Sequence, residues 1–276
     1  MERDPWDYPE WHGFNRETSL AAGLICAGVN SIGRANYADL GDYYVALFGL
    51  ANGIERLGKL IWVVDFRTTQ GRSPTDGELR KLGHKLPEIV NAVRAIDRKC
   101  GLNLKYPYPD DDMTRAVLDA LTMFADASRG RYANFETISG ASSPHDPVIY
   151  WWSHVVEPIL ATHFHGTERQ KRARRDAAIV DALIGKDSIV FHLDESGNRI
   201  SDVARGSYRT SENELAQKYG RFYTLRIVRW MSEVFAKLTA PISGPNGDPA
   251  LFGHHEVVGT FVAPDHYLRN RKRWPL

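Results

Sequence analysis

Cysteine is scarce in this sequence: only Cys26 and Cys100 occur among 276 residues, and neither lies in a C-x-x-C spacing. A disulfide framework is therefore excluded, and we expect a reducing, cytoplasmic location. Long apolar runs are also missing, because the most apolar early segment, Leu20 to Gly33, is shorter than the roughly 20 apolar residues that span a bilayer. The charged and aromatic first residues are unlike a secretory signal. We therefore expect a soluble protein without membrane attachment.

An excess of one charge is missing as well, since 35 Lys and Arg residues balance 34 Asp and Glu residues. A near-neutral chain does not coat itself with nucleic acid, so any anion site has to be a local patch. The chain also lacks a Gly-rich phosphate loop, a G-x-S-x-G elbow and paired Cys ligands. These absences exclude the commonest nucleotide, hydrolase and zinc signatures.

What the sequence does contain is a strong helical period between about Tyr37 and Phe66. Its apolar residues recur at spacings of three and four, at Tyr43, Leu47, Leu50, Ile54, Leu57, Ile61 and Val64. Gly49, Gly53 and Gly58 interrupt this segment, although each costs about 1 kcal/mol relative to Ala in a helix interior. We expect a central helix against which a second helix packs closely.

Other segments also have helical signals. The patterns Thr75-x-x-Glu78 and Ser211-x-x-Glu214 each predict a capping box at the start of a helix. The segment from Ile189 to Ile200 is the one convincing hairpin candidate. The sequence therefore predicts an all-α helical bundle with additional helices and at most one small β-hairpin.

The segment from Asn52 to Val93 resembles the HEPN superfamily of small helical domains found in prokaryotic toxins and antiviral systems. The residues that carry the resemblance are Gly53-Ile54-Glu55-Arg56-Leu57-Gly58-Lys59-Leu60 and, after a polar loop, Leu82-Gly83-His84-Lys85-Leu86. Arg131-Tyr132, after an amphipathic segment, also fits some members. The resemblance implies a HEPN-like helical half at 1–140 and a mostly helical second half at 141–276 that shares its core.

The resemblance further implies a metal-independent ribonuclease that works as a homodimer, without a cofactor, in bacterial defence or a toxin–antitoxin system. An arginine would hold the scissile phosphate and a histidine would move the proton of a ribose 2′-OH. The family leaves four to six residues between these two, whereas Arg80 and His84 are one residue short of that spacing. On a helix their i,i+4 spacing would place both on one face. The alternative is that His84 caps a helix start and Arg80 is a solvated charge.

Several basic residues are candidates for nucleic-acid binding. Arg56 and Lys59 lie opposite the apolar stripe, where they meet either a phosphate or a neighbouring acid such as Glu55. A denser run, which is either a phosphate contact strip or an exposed helix face, consists of Arg169, Lys171, Arg172, Arg174 and Arg175.

The C-terminal segment combines charge with aromatic surface. Its residues are Tyr267, Arg269, Arg271, Lys272, Arg273 and Trp274. Such a combination suits single-stranded nucleic acid, but a segment that docks on its own domain has the same composition.

A metal site is the competing enzyme hypothesis, based on His145-Asp146 and the His-Asp pair of all-α phosphohydrolases. Because Pro147 follows at once, Asp146 is more simply the N-cap of a helix. His163 and His165 point to different faces of a helix, and the adjacent His254-His255 pair has equally poor geometry for a shared metal. We therefore expect no metal site.

The leading functional prediction is RNA or nucleotide binding, extending to endoribonuclease activity. The alternative is a non-catalytic interaction or sensor module, in which the long glycine-bearing helix builds a dimer or partner interface. The basic clusters favour the first hypothesis, and the irregular spacing of Arg80 and His84 favours the second.

Overall fold

The computed structural model of the chain describes residues 4–125, 146–243 and 247–275. Most of these residues are helical, in α1 (Pro9–Ile32), α2 (Gly41–Gln70), α3 (Asp76–Lys81), α4 (Leu86–Cys100), α5 (Asp112–Ala125), α6 (Pro147–Trp151), α7 (Glu157–His163), α8 (Glu168–Ile184), α9 (Val203–Thr239), α10 (His254–Gly259) and α11 (Asp265–Asn270). One two-stranded antiparallel hairpin, β1 (His192–Leu193) and β2 (Arg199–Ile200), is the only sheet in these ranges. The predicted all-α fold with one small hairpin is confirmed.

The predicted apolar stripe is the buried face of α2. All seven of its members are less than 3% exposed, and they belong to one apolar core together with side chains of α1, α4, α5 and α9. None of the helices in the described ranges combines the length and apolar character that a bilayer crossing requires.

The glycines of α2 allow α1 to pack closely against it as an antiparallel neighbour. A Cβ at Gly49 would lie 2.8 Å from the carbonyl oxygen of Leu24 and 3.2 Å from the Cα of Gly28. A Cβ at Gly53 would lie 2.6 Å from Cγ1 of Ile25. Separations this short are overlaps, so the two backbones meet where no side chain fits. The predicted close approach of a second helix is confirmed, and that helix belongs to the same chain.

The segment between α2 and α4 is set by local hydrogen bonding. The Glu78 backbone N–H donates to Oγ1 of Thr75 at 3.3 Å, and the Thr75 N–H donates to Oε2 of Glu78 at 2.8 Å, so this capping box is confirmed. Gly83 has a φ of +69°, in the left-handed region that only glycine adopts without strain, and it follows the end of α3.

Arg80 and His84 do not share a helix, so the condition for the i,i+4 argument is not met. Arg80 lies in the last turn of α3, which ends at Lys81, whereas His84 lies in the connection to α4. The left-handed backbone at Gly83 lies between the two residues, after the end of α3.

α9 is the longest helix, and its start was also mispredicted. Oδ1 of Asp202 accepts a hydrogen bond from the Arg205 backbone N–H at 2.6 Å and caps the helix immediately after the hairpin. Ser211 therefore lies inside α9, and the predicted capping box at this position is wrong. A stronger cap upstream allows the helix to begin earlier.

The Asp146 prediction is confirmed. Oδ1 of Asp146 accepts hydrogen bonds from the backbone N–H groups of Val148 at 2.7 Å and Ile149 at 3.2 Å, which is the geometry of an N-cap. A π-helical turn at Trp152–Val156 joins α6 to α7. Pro158 lies in the first turn of α7, immediately after this irregular turn.

Candidate functional site

A groove opens between the first half of α1, the middle of α2 and the connection between α3 and α4. Its volume of about 480 Å³ falls within the range typical of small-molecule sites, roughly 300–1,000 Å³. Three residues predicted from the sequence, Arg56, Lys59 and His84, line it together. We call it the His84 groove.

His84 stands at the rim of this groove on a hydrogen-bonded support. Its Nδ1 lies 2.8 Å from Oε1 of Glu55 and 3.2 Å from Nζ of Lys59. Lys59 donates to the same Glu55 oxygen at 2.7 Å. The side chain of Glu55 is 17% exposed and that of His84 is 82% exposed, so a largely buried carboxylate supports an accessible imidazole.

This arrangement selects a tautomer of His84. A carboxylate can only accept, so Nδ1 carries the proton and donates it to Glu55. In the neutral ring Nε2 is then the acceptor, and it has no hydrogen-bond partner within the described ranges. The accessible nitrogen is therefore the one able to take a proton from a ligand.

The permanent charges that line the groove balance one another. The carboxylates are Glu10, Glu17 and Glu55, and the cations are Arg16, Arg56 and Lys59. Nη1 of Arg56 is 2.5 Å from Oε2 of Glu17 on α1, and Lys59 pairs with Glu55. The structure thus places Arg56 and Lys59 in salt bridges. Arg16 is exposed and forms no ion pair with a described residue.

The floor of the groove is apolar. Phe14 of α1 is buried, and Leu60, Val63 and Leu79 complete the lining. The ring of Phe14 stacks on the buried His254 at a centroid distance of 5.9 Å. A flat apolar ring could therefore lie on this floor while polar groups at the rim bind its substituents.

Arg80 does not line this groove. It is exposed on α3, and no described residue forms an ion pair or hydrogen bond with its side chain. Of these two predicted residues, only His84 therefore lines the groove. Arg131 and Tyr132 lie outside the described residues.

The basic run on α8 is mostly an exposed face. Arg169 forms a salt bridge with Glu214 of α9, and Lys171 forms one with Glu168 in the preceding turn. The exposed members without an ion pair to a described residue are Arg172, Arg174 and Arg175. Buried Ala173 and Ala177 form the inner face of the helix, which explains why the charges between them point outward.

The C-terminal aromatic segment docks on its own domain. The Trp274 N–H donates to Oδ1 of Asn30 at 2.8 Å, and Nδ2 of Asn30 donates back to the Trp274 carbonyl at 2.9 Å. The indole stacks on Phe261 and is 3% exposed. Trp274 is therefore unavailable for stacking with a nucleic-acid base.

The histidines considered as metal ligands have other surroundings. His163 stacks on Tyr219 at a centroid distance of 3.8 Å, and Nε2 of His254 is 3.0 Å from the carbonyl oxygen of Ala250. His145 lies outside the described residues. Within the described ranges, no group of three or more His, Cys, Asp or Glu side chains has metal-binding geometry.

Sequence reasoning missed the contribution of α1 to the groove. Arg16 and Glu17 are far from Arg56 in the chain, and no local period marks them. Only the antiparallel packing of α1 on α2, which the glycines of α2 signal, brings these residues to one surface.

No family model matches the chain, and comparisons with curated proteins and with solved structures find no match either. The HEPN resemblance stays a prediction.

Proposed function

We propose that the His84 groove binds a nucleotide or a single-stranded RNA segment and that His84 transfers a proton there during cleavage of the RNA backbone. The observation that carries this proposal is the shared acceptor at the rim: Oε1 of Glu55 accepts hydrogen bonds from Nδ1 of His84 and from Nζ of Lys59. An imidazole oriented by a carboxylate, with its second nitrogen accessible, has the arrangement of a general base.

The proposed reaction needs one proton acceptor and one phosphate ligand. The ribose 2′-oxygen attacks the adjacent phosphorus, while the bond from phosphorus to the 5′-oxygen breaks. Nε2 of His84 takes the proton of the 2′-hydroxyl, and the leaving 5′-oxygen takes a proton from solvent. The products are a 2′,3′-cyclic phosphate and a free 5′-hydroxyl.

The cations of the groove suit the phosphate role to different degrees. Arg16 has no ion pair with a described residue, so it can bind a phosphate without giving up a carboxylate. Arg56 would first have to leave Glu17. We therefore assign the phosphate contact to Arg16, and the apolar floor beside Phe14 to a base.

The test is cleavage of a defined single-stranded RNA by the pure protein, with and without EDTA. Wild-type protein should cut in both conditions and leave cyclic phosphate ends. His84→Ala should lose roughly 10²–10⁴-fold in rate, as expected for a proton-transfer group. His266→Ala, a change at an exposed histidine on α11, is the matched control and should cut normally. Full activity of His84→Ala, or no binding of RNA at low salt, would reject the proposal.

A second candidate function, an interaction module that pairs with a second copy of the chain, rests on a different observation. Large apolar side chains are exposed at the end of α8 and in the segment that leads into β1, with Leu183 at 74%, Ile189 at 97% and Phe191 at 91%. Exposed apolar side chains of this density are typical of interfaces. The glycines of α2 do not support such a role, since they pack inside the chain.

This second function predicts a dimer in solution. Light scattering should give twice the mass of the chain for wild-type protein and the mass of one chain for Phe191→Asp. A monomeric wild-type protein at micromolar concentration would exclude it.

A further inference from the structure

A second pocket lies at the other end of α1, where this helix ends at Gly33. It is bounded by α9, α11 and the first turn of α8 and has a volume of about 360 Å³. Along α1, Glu17 in the His84 groove and Gly33 are separated by roughly 24 Å at about 1.5 Å per residue. The two sites are therefore separate. We call the second one the Arg221 pocket.

The Arg221 pocket is strongly positive. Its single carboxylate, Glu214, forms a salt bridge with Arg169. Its five cations are Arg169, Lys218, Arg221, Arg269 and Lys272. The formal charge of the lining is thus +5 − 1 = +4. Lys218, Arg269 and Lys272 form no ion pair with any residue that the structure describes.

Arg221 is the unusual member of this set, because its side chain is buried without a counter-ion. It is 4% exposed and forms no salt bridge within the described ranges. The neighbouring inward-facing arginines of α9 differ in this respect. Arg209 pairs with Glu195 and Glu212, and Arg229 pairs with Asp265. A buried guanidinium without a carboxylate is unfavourable unless an anion from outside completes it.

The surroundings of Arg221 hold its guanidinium at the pocket. Nη1 donates to the carbonyl oxygen of Lys272 at 3.3 Å, and the buried Nε has no hydrogen-bond partner in the described part of the chain. A Cβ at Gly33 would lie 2.6 Å from Nη1, so glycine is the residue that leaves room for this group. One hydrogen bond thus holds Nη1 at the pocket, and no described residue accepts a hydrogen bond from Nη2, whose N–H groups remain for a ligand.

The positive field of the pocket reaches its neighbours. Burial, followed by the charges of Arg269, Arg169 and Arg221, lowers the pKa of Lys218. Burial, followed by Arg269 and Lys218, also lowers the pKa of His163. Both side chains therefore release their proton at a lower pH than a free lysine or histidine does.

We propose that the Arg221 pocket binds a phosphate dianion, either as inorganic phosphate or as the terminal phosphomonoester of a small molecule. Several converging cations favour a dianion over a singly charged carboxylate. Guanidinium groups match phosphate oxygens with paired hydrogen bonds. Nothing in this proposal depends on cleavage at His84.

Thermal unfolding of the full chain tests the proposal, because a ligand that binds only the folded state raises the melting temperature. The probes are sodium phosphate, adenosine 5′-monophosphate, adenosine and sodium acetate, each against sodium chloride at matched ionic strength. Phosphate, the monophosphate or both should raise the melting temperature in a saturable manner. Adenosine and acetate should leave it unchanged.

The relative sizes of the two shifts identify the source of the phosphate. Equal saturation by phosphate and the monophosphate indicates the free ion. A much tighter response to the monophosphate indicates a phosphorylated small molecule if Arg221→Met abolishes that response, whereas a response that Arg221→Met retains comes from the His84 groove. No shift with either probe beyond the chloride control would overturn the proposal.

Arg221→Met and Lys237→Met are the matched pair of variants, since both remove a cation from α9 and Lys237 is exposed at the far end of that helix. Arg221→Met should abolish the phosphate-induced shift while melting at or above the wild-type temperature without ligand, because it removes an uncompensated buried charge. Lys237→Met should keep the shift. A phosphate response that persists in Arg221→Met would overturn the proposal. If Arg221→Met does not fold, Lys218→Met and Arg269→Met should each weaken phosphate binding at least several-fold, and unchanged binding in both would overturn it.

Discussion

The two ends of α1 carry sites of opposite electrostatic design. In the His84 groove three carboxylates balance three permanent cations, and two of those cations are already paired. In the Arg221 pocket five cations share one carboxylate. The groove is therefore neutral in formal charge, with Arg16 as its one cation without an ion pair to a described residue, whereas the pocket gains stability from an added anion. The first suits recognition by shape and proton transfer, and the second suits recognition by charge.

This difference also shows that charge density along the chain is a poor guide to charge density in space. The densest basic run, at 169–175, spreads around an exposed helix, and Arg169 alone reaches a pocket. The cations of the Arg221 pocket come instead from three separate segments of the chain. Helical geometry disperses neighbouring residues, and tertiary packing gathers distant ones.

Breaking the α1–α2 contact should have the largest effect, because both sites depend on α1. Gly53→Ala places a methyl group against Ile25 and should cost about 1–3 kcal/mol through overpacking. Gly23→Ala is the matched change on α1 where nothing lies within 4 Å of the added carbon, and it should be neutral or stabilising. Urea unfolding measures both free energies. Equal free energies of unfolding for the two variants would show that a methyl group fits at position 53 without overlap with Ile25.

Removing the charge of Glu55 should give the His84 groove a net positive charge, as in the Arg221 pocket. Glu55→Gln takes away the carboxylate that orients His84, and loss of a hydrogen bond to a charged group corresponds to roughly 10- to 100-fold in rate. RNA affinity at low salt should rise at the same time, since Lys59 becomes unpaired. Glu10→Gln, in the same groove but not bonded to His84, is the control for both measurements. Unchanged cleavage by Glu55→Gln would remove Glu55 from the proposed site.

Acid should lower the free energy of unfolding through His254, which is buried against Phe14 beside the His84 groove. Burial lowers the pKa of His254. The hydrogen bond that its Nε2 donates to the carbonyl oxygen of Ala250 raises this pKa, and the charge of His255 lowers it, so that the net pKa is lowered. The unfolded chain therefore binds a proton more readily than the folded chain. Stability should be fully present above the unfolded value of about 6.5 and be lost as pH falls below it.

The test is the pH slope of the unfolding free energy between pH 7 and pH 5. Wild-type protein should lose stability over this range, and His254→Leu should show a smaller slope although its absolute stability is lower. Part of the slope should remain, because the pKa of His163 is lowered too. Identical slopes in the two proteins would contradict the assignment to His254.

The smallest expected effect is a change in the pKa of His163, which depends on the positive charges of the Arg221 pocket. Arg269→Ala should raise the pKa of His163, since after burial the charge of Arg269 is the main cause of its lowering. The imidazole signal followed by NMR over pH gives this value directly. Arg56→Ala, which changes the other site, should leave the signal of His163 unmoved. A lower pKa in Arg269→Ala would show that the field has been assigned the wrong sign.

Local pattern predicted several elements of the fold, although it did not predict α1 as a helix. The spacing of apolar residues predicted α2 and its buried face, and Thr75 and Asp146 marked two helix starts because a capping side chain acts within three residues of itself. The same reasoning failed at Ser211, because Asp202 caps the helix nine residues earlier.

The sequence by itself thus determined an all-α chain with one hairpin, a central helix and the need for a close helical neighbour. Only the tertiary structure decided which charges meet: Arg56 with Glu17, His84 with Glu55, and the buried Arg221 with none of the carboxylates that the structure describes. Apolar periodicity is a property of each helix alone, so it can be read residue by residue. Pairing of charges depends on how separate helices pack, and packing brings together residues that no local pattern connects.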